Sequence, residues 1–334
     1  MKLQREAVMS TFNIVSIAGR SCLLLCCLLS TGTDASVDRS LELPRQGVTP
    51  TADEIARQVY FANHFFSFNN FSIDRRGRTM SALINRSSDG KESVITLERH
   101  LNNNYHSNSD ILSRDLAIFH SGNMKGTGML VTEYVDDERS KDYITWIPSL
   151  RKIRRFSQPQ YEDAWAGSVF SFGDVTLRKP ADETHELIGT KKFRSCLGVI
   201  ENLEGKHYRY VDILPERSCR HLNKEVYGLK STTKFDSWWY DYRISYVDTT
   251  SFADYRTLYF KDDQLIKIID RDWGRVNPNK DEGDPRALFW KSWYGLDLRT
   301  GQETWAIVPQ KAVKYNTNLR NSFWTEKTLR KIKR

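Results

Sequence analysis

Long apolar runs, cysteines and catalytic signatures are all scarce in this 334-residue chain. After Leu29 no stretch approaches the about 20 apolar residues that a membrane-spanning helix needs. Only five cysteines are present, and their spacing matches no metal site. The histidines, at positions 64, 100, 106, 120, 185, 207 and 221, form neither an HExxH pattern nor any paired ligand spacing. No GxSxG elbow exists; Ala166-Gly167-Ser168-Val169 comes nearest. The run GNMKGTG from Gly122 to Gly128 lacks the lysine that follows the last glycine of a phosphate loop. Acidic clusters at Asp136, Asp137 and Glu138, and at Asp281, Glu282 and Asp284, sit among turn residues and read as solvated loops. With no reactive constellation to nominate, the chain reads as a protein that is not an enzyme and that requires no cofactor and no metal.

What is present begins with an export signal. Lys2, Arg5 and Arg20 precede the apolar run CLLLCCLL from Cys22 to Leu29, and the small, polar STGTDAS follows to Ser36. That order is that of a secretory signal peptide over residues 1–35, cut after Ala35, with Thr33 and Ala35 small enough for the cleavage pocket. A lipoprotein signal acylated at Cys26 or Cys27 is the alternative, but Leu25 and Cys26 stand where a small residue is expected. Cleavage would remove three basic and two acidic residues, lowering the formal charge from +8 to +7. A basic exported protein meets anionic envelope surfaces before it meets nucleic acid, so nucleic acid is excluded as a partner and the expected location is the periplasm of a Gram-negative type envelope. Only Cys196 and Cys219 survive cleavage. In an oxidising compartment their pairing, which would contribute roughly 3.5 kcal/mol, is the expected reading, with two separate buried thiols as the alternative.

Residues 36–50 read as a flexible lead-in, and residues 51–334 as one domain with a basic tail. Thr51 with Glu54 forms a capping box that opens an amphipathic helix bearing Ile55, Val59, Ala62, Phe65 and Phe66 on one face. Beyond it, alternating apolar runs flank turn residues. Met80 to Ile84 and Val94 to Leu97 bracket Ser88-Asp89-Gly90, and Leu197 to Ile200 and Tyr208 to Val211 bracket Glu204-Gly205. Thr257 to Phe260 and Leu265 to Ile269 bracket Lys261-Asp262-Asp263, and Tyr294 to Leu298 and Trp305 to Val308 bracket Thr300-Gly301. Successive hairpins without parallel βαβ units predict a mainly β, α+β fold with an antiparallel sheet that curls or closes.

Alternation proposes pairs of side chains sharing one face: Ile144 with Trp146, Met129 with Val131, Phe170 with Phe172, and Trp305 with Ile307. These are candidates for the wall of an apolar cavity, although a large side chain on a β face is more often ordinary core. After Pro148 comes the basic run Arg151, Lys152, Arg154 and Arg155 around Ile153, which reads as a charged edge strand or as the rim of a site. Nine tryptophans and fifteen tyrosines, among them the WWYDY run from Trp238 to Tyr242, keep a second class open, that of a non-catalytic glycan binder with stacking platforms.

The segment from Met124 to Val175 resembles the signature region of the exported outer membrane lipoprotein-sorting protein family, relatives of the LolA and LolB carriers. The matching elements are the Lys125-Gly126-Thr127-Gly128 turn, Trp146-Ile147-Pro148-Ser149-Leu150 with the arginine-rich run after it, and Trp165-Ala166-Gly167-Ser168 leading to Phe170-Ser171-Phe172. More loosely, the resemblance extends from the Thr51 helix to Asn316 and Phe323. It implies a curved antiparallel sheet forming an incomplete barrel, with helices lidding an apolar cavity. It also implies a carrier of a lipid or an acylated protein, working with an RND-type inner-membrane permease and touching membranes transiently. One stretch departs from the family pattern: Val169, Phe172 and Gly173 stand where an acid, a tyrosine and a second acid are usual. A carrier needs no catalytic group, because a diacyl lipid hides about 30 methylenes worth roughly 24 kcal/mol, and shelter from water is itself the service.

Overall fold

The computed structural model describes residues 41–332 apart from 78, 106–108, 137, 158, 177, 200–217, 237 and 277–282. The expected signal peptide over residues 1–35, part of the 36–50 lead-in, and the hairpin around Glu204-Gly205 lie outside the described residues.

Helix α1 (Ala52–Asn63) opens as expected: Thr51 Oγ1 accepts the Glu54 N–H at 3.2 Å, and the Glu54 carboxylate accepts the Thr51 N–H at 2.7 Å. The helix stops before Phe65, whose φ of 55° turns the chain back toward the sheet. Phe65 then stacks on Phe71 with ring centroids 4.5 Å apart. Ile55 and Ala56 pack on Tyr227, Leu229, Val247 and Phe252.

A first meander follows: β1 (Asn70–Ile73), β2 (Ser81–Arg86), β3 (Glu92–Asn102), β4 (Ile111–Phe119), β5 (Gly128–Tyr134), β6 (Asp142–Ile147) and β7 (Lys152–Phe156). A crossover carrying α2 (Phe172–Val175) leads to a second meander: β8 (Glu183–Lys192), β9 (Glu225–Thr233), β10 (Tyr242–Asp248), β11 (Asp254–Lys261), β12 (Gln264–Arg275), β13 (Leu288–Asp297) and β14 (Glu303–Ile307). Strand β15 (Val313–Tyr315) and helix α3 (Glu326–Leu329) end the chain.

All pairings are antiparallel, and the main strand order is β7-β6-β5-β4-β3-β2-β14-β13-β12-β11-β10-β9-β8. The first meander therefore walks outward from the centre to the β7 edge, the crossover carries the chain to the opposite edge, and the second walks back until β14 pairs with β2. Trp305 lies opposite Ile84 at that seam. Strand β1 pairs with β3 and β15, off the main path. The sheet is curved and does not close into a barrel. Turn chemistry accounts for the hairpins: Asp262 and Asp263 both take positive φ, 49° and 57°, as a two-residue turn matched to strand twist requires. The described residues from 41 on belong to one compact unit.

Candidate functional site

The inner face of the first meander is built by register. Met129, Val131 and Glu133 alternate on β5, and on β6 Val131 lies opposite Tyr143 while Met129 lies opposite Thr145. On β4, Ala117, Asp115 and Ser113 lie opposite the same β5 residues. Above this floor is a cavity of about 130 Å³. Its apolar end is formed by Leu97, Met129, Val131 and the crossover residues Trp165, Phe170 and Phe172, and Trp290 and Trp293 form its far wall.

The crossover is held to both halves of the sheet. Phe170 meets Trp293 edge-on at 5.3 Å, and Phe172 meets Tyr143 edge-on at 6.1 Å. The Val169 N–H donates to Thr304 Oγ1 at 3.0 Å. Asp174 pairs with Lys267 and accepts the Tyr259 hydroxyl at 2.8 Å, all three groups being buried. Burial pushes the Asp174 carboxyl up, but Lys267 and the hydrogen bonds outweigh it and hold the group below the usual carboxylate range. A Cβ at Gly173 would lie 3.1 Å from the Tyr161 carbonyl, so the residue that departs from the family pattern there is accommodated by a close backbone approach. Phe172, the second departure, supplies cavity wall instead of a hydroxyl.

At the end of the cavity beneath α1 the floor turns polar. Glu133 accepts the Tyr60 hydroxyl at 2.8 Å and the Ser113 hydroxyl at 3.2 Å, and pairs with Lys141 at 2.9 Å. Lys141 also donates to the Thr176 carbonyl at 2.9 Å, tying the crossover to β6. His64 Nε2 stands 3.6 Å from Glu133. Burial lowers His64 to about 4 despite the nearby carboxylate. Burial would raise Glu133, but Lys141 and His64 overcome it and leave Glu133 at about 2. One strand position away, Arg99 contacts Asp115 through Nε at 2.8 Å and Nη2 at 2.6 Å. Its guanidinium lies over Trp290 and Phe65, at 5.0 and 5.8 Å from their centroids.

The structure sorts the candidate wall residues. Met129, Val131, Phe170, Phe172 and Ile307 border the cavity. Phe170 and Phe172 do so from the crossover and the start of α2, so strand alternation is not what pairs them. Ile144 and Trp146 are a correction: they share a face, as alternation requires, but it is the outer one, packed with Leu116, Leu130, Trp324 and Leu329 beneath the C-terminal segment. Trp305 is a second correction, since it is buried against Tyr294 and donates its indole N–H to the Gly198 carbonyl at 3.0 Å, away from the cavity. Tyr143, Arg99, Glu133, Lys141 and the paired tryptophans of β13 were not nominated. The signal for Glu133 was its place two residues after Val131, and for Lys141 its place two residues before Tyr143.

The basic run forms the expected hairpin, with its turn at 148–151 and β7 as an edge strand. All four basic residues are exposed. Register divides them: Arg154 lies opposite Thr145 and, with Lys152, shares the inner side with Phe156, which stacks on Tyr143. Arg155 lies opposite Ile144 on the outer side and pairs with Glu326 of α3. Cys196 and Cys219 are bonded, with Cα atoms 4.3 Å apart. The WWYDY rings are engaged internally: Trp239 stacks on Tyr259, Trp238 lies against Arg178, and Tyr240 is buried. Among the described residues there is no helix long and apolar enough to cross a membrane and no cluster of three or more potential metal ligands.

A family model described as "Uncharacterized protein" matches residues 112–331, more than half of the chain. The chain belongs to that family. No curated protein matches it. Among solved structures, it is similar to a candidate outer membrane lipoprotein-sorting protein domain from Vibrio parahaemolyticus, at 13% identity and a TM-score of 0.59, over 84% of this chain and 98% of that one. It is also similar to a DUF1329 family protein from Desulfovibrio piger, at 14% identity and a TM-score of 0.61, over 84% of this chain and 100% of that one. At such identities the likeness establishes the fold, and that fold is the one implied by the resemblance of residues 124–175.

Proposed function

We propose that the protein is a periplasmic carrier that takes a lipid or an acylated protein into the inner-face cavity and assists its transfer between membranes, with an RND-type permease as its expected inner-membrane partner. The observation that carries this reading is an apolar cavity roofed by a segment that is not part of the sheet. Its volume, about 130 Å³, is close to the roughly 150 Å³ that accommodates a benzene and below the about 300 Å³ at which ligand sites usually begin. A full acyl chain therefore enters only if the crossover carrying Trp165, Phe170 and Phe172 moves away from the floor. The exposure of Lys152 and Arg154 on the inner side of the β7 edge supports contact with anionic head groups at a membrane surface. The lipoprotein-sorting description of the Vibrio domain supports the same reading. The glycan alternative loses its platform because the WWYDY rings stack on their own neighbours.

The test is to purify the processed protein from a Gram-negative host and identify what an organic extraction releases. Lipid near one equivalent per chain is expected. An empty protein that also fails to take up added lipid overturns the proposal.

A further inference from the structure

The cavity wall contains polar groups that a purely hydrocarbon cargo would leave unsatisfied. The indole N–H of Trp293 is buried and has no hydrogen-bond partner, although the ring itself is 4% exposed and borders the cavity. Trp293 packs edge-on against Trp290 at 4.6 Å, and the Arg99 guanidinium lies 5.0 Å from the Trp290 ring centroid. Arg99 spends Nε and Nη2 on Asp115, and Nη1 has no protein partner among the described residues. Two donors without acceptors thus lie beside one ring. A buried donor left unsatisfied is costly, and a cavity that keeps the Trp293 N–H unsatisfied with the partly exposed Arg99 guanidinium nearby is shaped for something that brings an acceptor.

Charge decides which acceptor. Every charged side chain in the wall is already balanced: Arg99 by Asp115, and Lys141 by Glu133, with His64 neutral. Asp115 Oδ1 is itself buried without a hydrogen bond, so an anion entering beside it meets repulsion and finds no free counter-charge. A carboxylate would be buried unpaired, whereas a neutral carbonyl needs only the two donors.

Resting on the carrier reading, we infer that the cavity recognises an acyl chain through its neutral ester or amide carbonyl, with Trp293 and Arg99 as the donors, and discriminates against free fatty-acid anions. Trp293 is then a specificity residue for the cargo, and the apolar end formed by Met129, Val131 and Phe172 takes the chain.

Competition against a fluorescent apolar probe tests this with three twelve-carbon ligands: methyl laurate, its ether counterpart dodecyl methyl ether, and laurate at pH 8. The ester should bind about three- to tenfold more tightly than the ether, as one net hydrogen bond allows, and laurate should be the weakest. In Trp293→Phe the ratio of ester to ether affinity should fall to about one. The inference is overturned if laurate binds as tightly as the ester, or if the ester-to-ether ratio is unchanged in a folded Trp293→Phe protein. Should that variant not fold, the ranking of the three ligands on the unaltered protein decides alone. Failure of all three to displace the probe overturns the carrier reading itself, and the inference with it.

Discussion

Strands β4 to β6 carry apolar residues on both faces, and the two faces have opposite fates. On the inner face, Met129, Val131 and Tyr143 look into a cavity roofed by the crossover and α1. On the outer face, Leu130, Ile144 and Trp146 are closed over by Phe323, Trp324 and Leu329. The side chains are of similar size and character; what differs is the cover. Trp324 is fully buried and donates its indole N–H to the His100 carbonyl at 2.7 Å, and a Cβ on Gly128 would collide with Leu329 and Ile332. That interface is filled core. The inner cover leaves space, and it is held by the Asp174–Lys267 ion pair together with the contacts of Phe170 and Phe172 with Trp293 and Tyr143. A filled face and a face bordering a cavity can thus arise from the same alternating strand.

The largest expected effect lies on the filled outer side. Trp324→Ala should destabilise the protein by about 3–5 kcal/mol in a denaturant titration, while the folded fraction retains its lipid affinity. Comparable loss there of both stability and binding would mean that the outer face also serves the cargo.

The anchors of the inner cover come next. Lys267→Met leaves the buried Asp174 carboxylate unpaired and should cost about 3–5 kcal/mol, much of it recovered by adding Asp174→Asn. If the crossover moves to admit cargo, the double variant should also load lipid faster in stopped-flow uptake; an unchanged rate would argue that entry does not pass beneath Asp174.

Filling the cavity separates the faces more finely. Val131→Phe should reduce lipid uptake by about tenfold or more while costing only about 1–3 kcal/mol of stability. Ile144→Phe, its counterpart on the covered side, should carry a similar stability cost with no effect on uptake by the folded protein.

The polar end of the cavity predicts a pH dependence. His64 is lowered from 6.5 to about 4, so the folded state resists a proton that the unfolded chain accepts, and stability falls as pH drops from about 6.5 toward 4. Glu133 is lowered from 4.5 to about 2, so its contribution is complete above about 4.5 and is lost on further acidification toward 2. The melting temperature should therefore decline in two overlapping stages, and His64→Gln should flatten the first alone. A plateau down to pH 4 in the unaltered protein would contradict the burial of His64.

The smallest effect lies on the rim. Lys152→Glu with Arg154→Glu should slow transfer to anionic vesicles several-fold and lose that effect at high salt, whereas Arg151→Glu with Arg155→Glu should do so less, since Arg155 faces the outer side and pairs with Glu326. Equal effects would make the run a general surface charge.

Much of this architecture was readable from local chemistry. The Thr51–Glu54 cap, the Asp262-Asp263 turn and the edge character of β7 each follow from residues within a few positions of one another. The long-range choices did not. Nothing near Trp305 or Ile84 announces that β14 returns to pair with β2, because the partner lies more than two hundred residues away in sequence. Alternation put Ile144 and Trp146 on one face and Tyr143 on the other, but a period of two has no sign, and which face looks inward depends on where the crossover and the C-terminal segment settle. The buried Glu133–Lys141 pair escaped notice for a related reason: charged residues flanking a turn read as solvated unless the fold places α1 above them.

The most direct test is photolabelling with a phospholipid carrying a diazirine on its acyl chain, loaded onto the intact protein and mapped by peptide mass spectrometry. Label should concentrate on the inner face, at Met129, Val131, Tyr143 and the crossover around Phe170 and Phe172. Label on Leu130, Ile144, Trp146 or Trp324, or label spread over the surface without enrichment at the inner face, would contradict it.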